Sequence, residues 1–283
     1  MNPHHDHGLG HDLNTLGRQL AERRSALRWL TAGACAAVAP LSLMACGGGL
    51  DDEETGTVSD LYGGSCTTIP RETAGPYPAD GTTASNQRLN ALALSGIVRN
   101  DIRDSIGGAS GTALGVPLTV TLSLVSTAAA CASLEGYAVY LWHCTRDGGY
   151  SMYSGGHTGE NYLRGVQVSD ANGQVTFSTI FPGCYSGRWP HIHFEIYPSL
   201  TAALDSSAVG DHLTVSQLAL PAAVCNQVYG AAAGYSASVN NFANISLASD
   251  NVFGNDSAAV QLASVSGSVS GGFAASLEVG VAA

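Results

Sequence analysis

Two histidines, His191 and His193, stand one residue apart in a segment where polar and apolar residues alternate. Glu195 and Tyr197 continue the polar series, and the intervening residues are apolar: Ile192, Phe194 and Ile196. Because side chains of a β-strand point alternately to its two faces, such a strand would direct both imidazoles to one face. The spacing therefore predicts that the two histidines bind one metal ion, and the pair alone leaves iron, copper and zinc as alternatives.

Two tyrosines narrow the choice of metal. Tyr185 lies six residues before His191, just after a Pro-Gly turn, and Tyr150 lies eight residues beyond Trp142, past the end of another predicted strand. A phenolate is a hard, anionic oxygen donor, which suits ferric iron. Two phenolates and a hydroxide would neutralise the three positive charges of Fe(III), whereas neutral imidazoles alone would not.

Four blocks of sequence carry these residues and their neighbours. They are Thr73-Ala74-Gly75-Pro76-Tyr77, then Leu141-Trp142-His143 followed by Tyr150-Ser151, then 163–170, then 182–194. In order and spacing the blocks resemble the intradiol ring-cleavage dioxygenases, the family of catechol and protocatechuate dioxygenases, and in particular its exported members. The resemblance covers residues 69–198 well and the remainder weakly.

The resemblance implies a set of site residues. One Fe(III) per chain would be bound by four side chains, with water or hydroxide completing the coordination: Tyr150, Tyr185, His191 and His193. Arg188 would lie beside the substrate and stabilise negative charge that develops on the ring. Tyr150 and Tyr185 would share the catalytic role, because a displaced tyrosinate can take up a substrate proton. The substrate pocket would include three further residues: Tyr77, Arg164 and Gln167.

The activity implied by the resemblance is oxidative cleavage of an aromatic ring. Dioxygen would break the bond between the two hydroxyl-bearing carbons of a small catecholic substrate and give a muconate-type diacid. Two alternatives stay open. One is an exported β-sandwich lipoprotein that binds a metal or an aromatic ligand without turnover, and the other is a copper or zinc enzyme that uses the histidine pair alone.

The elements that must position these residues are predicted to be β-strands. Segments with alternation or with many β-branched residues occur at 117–125, 137–144, 174–180, 188–197 and 212–220, and 261–281 fits one or two more. No segment beyond the N-terminal region shows helical periodicity over twelve or more residues. The pattern predicts an all-β fold, an antiparallel β-sandwich whose long loops carry a mononuclear metal site. The long loops are expected at 145–166 and 222–256.

The first 45 residues predict an export signal. Paired Arg23 and Arg24 precede an uncharged apolar stretch at 29–44, which is shorter than the roughly 20 residues that span a bilayer. The sequence around Cys46 is typical of a lipoprotein cleavage site, with Cys46 as the acylated residue. We therefore expect a twin-arginine signal at 1–45, a flexible acidic tether at 46–65 and the dioxygenase-like domain at 66–283. The protein would be periplasmic or in the cell envelope, reaching a membrane only through its lipid anchor.

Composition bears on partners and on cross-links. The chain has no lysine, and beyond residue 45 it has seven arginines and nineteen carboxylates. The resulting net charge of −12, with histidine neutral, argues against nucleic acid as a partner.

Five cysteines follow Cys46, so at most two disulfide bonds form within the chain, and their pairing stays open: Cys66, Cys131, Cys144, Cys184 and Cys225. The oligomeric state is not determined by the sequence.

Overall fold

The computed structural model describes residues 66–283. The predicted signal at 1–45, the lipid anchor at Cys46 and the tether at 46–65 lie outside the described residues and stay predictions. Within residues 66–283 no helix is both long enough and apolar enough to cross a membrane.

Eight strands of this region form two four-stranded sheets. The first sheet contains β1 (Pro117–Ser126), β4 (Gln174–Ile180), β7 (Ser264–Ser268) and β8 (Gly272–Val281), in the order β4-β1-β8-β7. The second sheet contains β2 (Ala138–Trp142), β3 (Arg164–Val168), β5 (His191–Tyr197) and β6 (Thr214–Ala219), in the order β3-β2-β5-β6. The predicted β-sandwich is confirmed in this architecture, but the fold is mostly β rather than all-β, because the described residues also include short helices.

The hydrophobic core lies between the two sheets. Strand β1 alternates as the sequence pattern predicts, so that Leu118, Val120 and Leu122 are buried against the second sheet. From the second sheet, β5 contributes its apolar series to the same core: Ile192, Phe194 and Ile196. The polar series of β5 consequently points to the opposite face of the second sheet.

One pair of neighbouring strands departs from the predicted antiparallel arrangement. Strand β8 runs parallel to β1, with Leu118 opposite Phe273, whereas β1–β4 and β7–β8 are antiparallel. A tight hairpin forces its two strands to be antiparallel, but β1 and β8 are distant in sequence and no hairpin joins them. The alternation of side chains identifies a strand without indicating the direction of its neighbour.

The segment predicted as a loop at 222–256 is largely helical. It forms α2 (Ala222–Ala231), α3 (Ser236–Ala243) and two short 3-10 helices (Leu247–Ser249 and Phe253–Asn255), while α1 (Leu200–Leu204) precedes β6. These helices have ten residues or fewer, too short to show a clear helical period. The loop predicted at 145–166 is likewise too long at its C-terminal end, because residues 164–166 belong to β3.

The cysteines divide into one pair and three thiols. Cys66 and Cys131 form a disulfide bond that ties the start of the domain to the connection after β1. The other three described cysteines are free and buried: Cys144, Cys184 and Cys225. Burial raises the pKa of the Cys184 thiol to about 12, so this neighbour of Tyr185 is a neutral thiol at ordinary pH.

Candidate metal centre

The two histidines lie on the face of the second sheet that is turned away from the first sheet, which we call the site face. His191 and His193 are only 2% and 3% exposed. Across the sheet, His193 is paired with Trp142 of β2 and with Gln217 of β6, and Trp142 is paired with Arg164 of β3. The indole of Trp142 is parallel to the imidazole of His193, with ring centroids 4.9 Å apart and an interplanar angle of 5°. The stacked indole therefore fixes the plane of the His193 ring.

Two tyrosines reach this pair of histidines from loops. The hydroxyl of Tyr150, in the connection between β2 and β3, lies 3.3 Å from Nε2 of His193. The hydroxyl of Tyr185, in the connection between β4 and β5, lies 3.3 Å from Nε2 of His191. The two Nε2 atoms are 3.0 Å apart, and the rings of Tyr150 and Tyr185 meet edge to face with centroids 5.9 Å apart. Four donor atoms thus converge on one point of the site face.

The tautomer of His191 can be assigned from its neighbour. Its Nδ1 lies 2.5 Å from the carbonyl oxygen of Trp189, and a carbonyl can only accept, so Nδ1 carries the proton. The Nε2 atom of His191 consequently directs a lone pair toward the other three donors. Nδ1 of His193 is buried without a hydrogen-bond partner among the described residues.

Burial determines the protonation of the cluster. It lowers the pKa of His191 to about 3, with the nearby Arg188 acting in the same direction, and it lowers the pKa of His193 well below its usual range, helped by His191. Both imidazoles are therefore neutral, the form that binds metals. Burial and the adjacent Tyr185 raise the pKa of Tyr150 well above its ordinary value, so Tyr150 is a neutral phenol unless a cation stabilises its phenolate.

The donor set fits a ferric ion. Donors 3.0 to 3.3 Å apart can all lie about 2.1 Å from one shared ion, a usual metal–nitrogen distance. Two phenolates would offset most of the charge of Fe(III), and the two lone pairs of the imidazoles would complete a four-residue ligand set. Because a buried phenol must lose its proton to bind, metal uptake would release protons. No three His, Cys, Asp or Glu side chains within residues 66–283 are grouped to hold a metal ion, so the cluster is one of mixed phenols and imidazoles.

Arg188 lies beside the four donors and is 3% exposed. Its Nε donates to Oδ2 of Asp250 at 3.0 Å, and its Nη2 donates to Oε1 of Gln217 at 2.6 Å. Burial by itself would lower the pKa of Arg188, but Tyr185 and Asp250 outweigh this effect and raise the pKa above its ordinary value. The guanidinium is therefore a permanent positive charge next to the phenols.

Residues 73–80, which we call the cover segment, pass over the same cluster. Gly75 has a φ of +72°, and a Cβ at this position would lie 3.4 Å from the His193 ring. The ring of Tyr77 packs against Tyr150, with centroids 4.9 Å apart, and against Tyr153 at 5.2 Å. The structure thus places Tyr77 beside a predicted metal ligand, where it closes one side of the site.

Arg164 holds the cover segment rather than contacting the four donors. Its guanidinium donates to the backbone carbonyls of Tyr77 at 2.9 Å and of Pro78 at 2.8 Å. It also donates to the carbonyl and the hydroxyl of Ser151, the residue after Tyr150. Arg164 therefore joins the cover segment to the loop of Tyr150, and its place in the substrate pocket is not what the structure shows.

The prediction that Gln167 lies in the substrate pocket is wrong. Gln167 is paired with Val139, whose side chain belongs to the core between the sheets, so it occupies the face opposite the site face. The glutamine on the site face is Gln217, which accepts from Arg188 and donates to the carbonyl of Thr73 in the cover segment. A signal for it was available, because Gln217 is the one polar residue in the alternate series of the predicted strand formed by Leu213, Val215, Gln217 and Ala219.

Asp250 was missed for a different reason. It lies in the segment 222–256, where the sequence predicted only a loop and offered no pattern. Its carboxylate nevertheless reaches the site to pair with Arg188, and its side chain is fully buried. Only the packing of the helical segment against the second sheet brings it there.

Comparison with known proteins gives one matching family model. Residues 99–206 match a family model described as Dioxygenase. This segment contains all four convergent donors and Arg188, whereas Gln217 and Asp250 lie beyond it. No curated protein matches the chain.

Several solved structures are similar in fold. An intradiol ring-cleavage dioxygenase from Tetranychus urticae aligns with a TM-score of 0.57 at 23% identity, covering 76% of this chain and 95% of that one. The dioxygenase domain of a carbohydrate-binding fusion protein from Streptomyces sp. SirexAA-E aligns with a TM-score of 0.46 at 21% identity, covering 76% and 98%. Catechol 1,2-dioxygenase from Pseudomonas arvilla C-1 aligns with a TM-score of 0.43 at 19% identity, covering 75% and 61%. The family match of residues 99–206 and the fold shared with the Tetranychus urticae enzyme confirm the predicted resemblance to the intradiol dioxygenases.

Proposed function

We propose that this chain, whose residues 99–206 match the dioxygenase family, cleaves a small catecholic ring with dioxygen at one ferric ion. The observation that carries the proposal is the convergence of two phenols and two imidazoles beside a buried guanidinium. Both oxygen atoms of O2 would enter the product, a muconate-type diacid. When bound, Fe(III) would hold the catechol as its dianion and make the ring reactive toward dioxygen.

The two phenols differ in burial, as we expect if one remains a metal ligand and the other is displaced by the substrate. Tyr150 is 2% exposed, packed under Tyr77, and suited to remain a ligand throughout the reaction. Tyr185 is half-buried and is followed by the exposed Ser186 and by Gly187 with a φ of +82°, so its loop borders solvent. We assign to the Tyr185 phenolate the role of leaving its position when substrate arrives and accepting one substrate proton at Oη.

Arg188 and the cover segment would act on the substrate itself. Hydrogen bonds to described residues use Nε and Nη2 of Arg188, which leaves Nη1 as the donor that can turn toward a bound catechol. A fixed cation there would stabilise the negative charge that develops on the ring as oxygen attacks. Tyr77 would place an aromatic face against the planar substrate and limit the entry of water.

A visible spectrum with metal analysis tests the proposal. We expect one iron per chain and a tyrosinate-to-Fe(III) charge-transfer band that moves to longer wavelength when catechol is added without oxygen. Admission of oxygen should then consume one O2 per catechol. Tyr185→Phe should weaken both the band and turnover. The control is Tyr162→Phe, which should preserve both, because the Tyr162 hydroxyl is hydrogen-bonded to His157 and not to the donors.

Two outcomes would overturn the proposal. A protein that takes up zinc or copper but gives no charge-transfer band with iron would indicate a different metalloenzyme. A ferric band that shifts with catechols but consumes no oxygen would indicate a binding protein without turnover.

We also propose that the protein works outside the cytoplasm as a lipoprotein. The support is the sequence of the first 46 residues, with Arg23 and Arg24 before an apolar stretch and Cys46 after it. Mass spectrometry of the mature N-terminus should find an acylated Cys46. Cys46→Ser should release the protein from membranes, and recovery of an uncleaved, unacylated chain would refute the anchor.

A further inference from the structure

We infer that Asp250 is the positioning residue and charge partner that aims Arg188 at the substrate. The inference rests on the proposed function for its catalytic meaning, but the pairing itself is independent of iron. Asp250 lies outside residues 99–206, so the family match does not assign it a role.

One oxygen of the Asp250 carboxylate accepts hydrogen bonds from both Arg188 and Trp189. Its Oδ2 accepts from Nε of Arg188 at 3.0 Å and from the backbone N–H of Trp189 at 2.6 Å. The side chains of Arg188 and Asp250 are 3% and 0% exposed, so solvent does not screen the ion pair. One oxygen atom therefore fixes both the guanidinium and the backbone just before the first predicted histidine ligand.

The second carboxylate oxygen is fixed as well. Oδ1 of Asp250 accepts from the backbone N–H groups of Val252 at 2.8 Å and of Phe253 at 3.0 Å. With both oxygens held, the carboxylate cannot rotate about its own bond without losing hydrogen bonds. The direction of the Arg188 guanidinium is thus set by the backbone of a different segment of the chain.

Charge explains why the partner must be an acid. A buried guanidinium without a counter-ion would be expelled toward water or would pull water into the site. Burial raises the pKa of Asp250, but Arg188 and the backbone N–H groups of Trp189 and Phe253 together outweigh burial and hold the pKa below its ordinary value. Asp250 is therefore ionised and balances the charge of Arg188, which would otherwise repel a nearby metal cation.

Gln217 orients the Arg188 guanidinium but does not neutralise its charge. Its amide oxygen accepts from Nη2 of Arg188 at 2.6 Å, and its amide nitrogen donates to the carbonyl of Thr73. A neutral amide can orient a guanidinium but cannot neutralise it. Asp250 is thus the residue on which both the charge and the direction of Arg188 depend.

The experiment is a double-mutant cycle with Asp250→Asn and Arg188→Met, followed by two measurements. Asparagine can still cap Val252 and Phe253 through Oδ1, but its Nδ2 cannot accept from Arg188 Nε or from the Trp189 N–H. A purely structural role of Asp250 through Trp189 would therefore cost the same with or without Arg188. If Asp250 acts through Arg188, Asp250→Asn should retain iron and lose at least about tenfold in kcat/KM, mostly in kcat. In the Arg188→Met background the same change should cost less than about twofold.

The second measurement is urea unfolding of the four proteins without metal. Each single variant leaves one buried charge unpaired and should lose stability, and the double variant should lose less than the sum of the two single losses, because it buries no unpaired charge. Asp250→Glu keeps the charge and should recover part of the activity. Asp256→Asn is the matched control, because the Asp256 carboxylate of the same segment accepts from the backbone N–H of Ala258, and this change should leave kcat/KM unchanged.

The outcomes separate the two proposals. Additive effects in both measurements, or full activity of Asp250→Asn alongside an inactive Arg188→Met, would overturn the role of Asp250. If the wild-type protein fails to cleave catechols, the proposed function fails, and the unfolding cycle still decides whether Asp250 and Arg188 are coupled. If Asp250→Asn does not fold, Asp250→Glu and the double variant complete the comparison.

Discussion

Two buried arginines on the site face, Arg164 and Arg188, are held in different ways. Arg164 is surrounded by uncharged oxygen atoms, from the carbonyls of Tyr77, Pro78 and Ser151 and the hydroxyls of Ser151 and Tyr140. Arg188 is held by one carboxylate and one amide, those of Asp250 and Gln217. Carbonyl groups suffice where a guanidinium fastens backbone segments together. A guanidinium beside the phenols and a prospective metal ion is matched by a counter-ion.

The two arginines also differ in where their partners come from. The partners of Arg164 lie in the cover segment, in β2 and in the loop of Tyr150. Both side-chain partners of Arg188 lie beyond residue 206, in β6 and in the helical segment after it. The part of the chain that matches the dioxygenase family thus supplies the donors and Arg188, and the C-terminal part holds Arg188 in position.

The largest expected effect is on turnover, from Arg188→Met. We expect kcat to fall about a hundredfold, because the charge facing the developing anion is lost, while the ferric band persists. Steady-state oxygen uptake and the visible spectrum of the same sample measure both quantities. Full turnover in this variant would remove the distinction between the two arginines.

Arg164→Met should act on stability first. The change removes the Arg164 hydrogen bonds to three carbonyls and two hydroxyls of the cover segment and its neighbours, at a cost of about 3 kcal/mol in the free energy of unfolding. Because the cover segment is loosened, KM for catechol should rise more than kcat falls. Urea unfolding and steady-state kinetics test this, and an unchanged midpoint of unfolding would contradict it.

The pH dependence of the free energy of unfolding should distinguish the two arginines. The pKa of Asp250 is lowered by its pairing with Arg188, so the pair contributes stability that is present above the unfolded pKa of about 3.8. This contribution is lost as pH falls through the still lower folded pKa. The stability gap between wild type and Arg188→Met should therefore be wide at pH 6 and narrow as pH falls below about 4.

Arg164 provides the control for this titration. Its acceptors are carbonyls and hydroxyls, which do not ionise between pH 3 and pH 6, so the gap between wild type and Arg164→Met should stay constant there. Urea unfolding at several pH values, with the wild type beside each variant, measures both gaps. Parallel curves for the two variants would show that Asp250 is not the group that responds to Arg188.

The smallest effects should distinguish two glutamines. Gln217→Leu removes the acceptor of Arg188 Nη2 but leaves its counter-ion, and we expect kcat/KM to fall about tenfold. Gln167→Leu lies on the opposite face of the second sheet and should change kcat/KM by less than about twofold. If Gln167→Leu proved the more harmful of the two, the assignment of the site face to Gln217 would be wrong.

Local pattern predicted much of the fold. The segments 117–125 and 174–180 correspond closely to β1 and β4, because alternation of apolar residues reflects one buried face. The helices of 222–256 were not predicted, since ten residues or fewer of Ala, Asn and Ser carry little periodicity. The parallel pairing of β1 with β8 was not predicted either, because it joins strands about 150 residues apart in sequence.

The sequence by itself determined the types of metal donor and placed the two histidines on one strand. His191 and His193 share a face because of the two-residue period of a strand, and that period is a local property of the backbone. Tyr150 and Tyr185 could be named from the family motifs, but only the tertiary structure brings their hydroxyls to within 3.3 Å of the imidazoles. The sequence offered a signal for Gln217, but only the tertiary structure brings Gln217, rather than Gln167, beside Arg188 and pairs Asp250 with Arg188. Such contacts depend on which strands become neighbours and how a distant segment packs, and no local pattern encodes either.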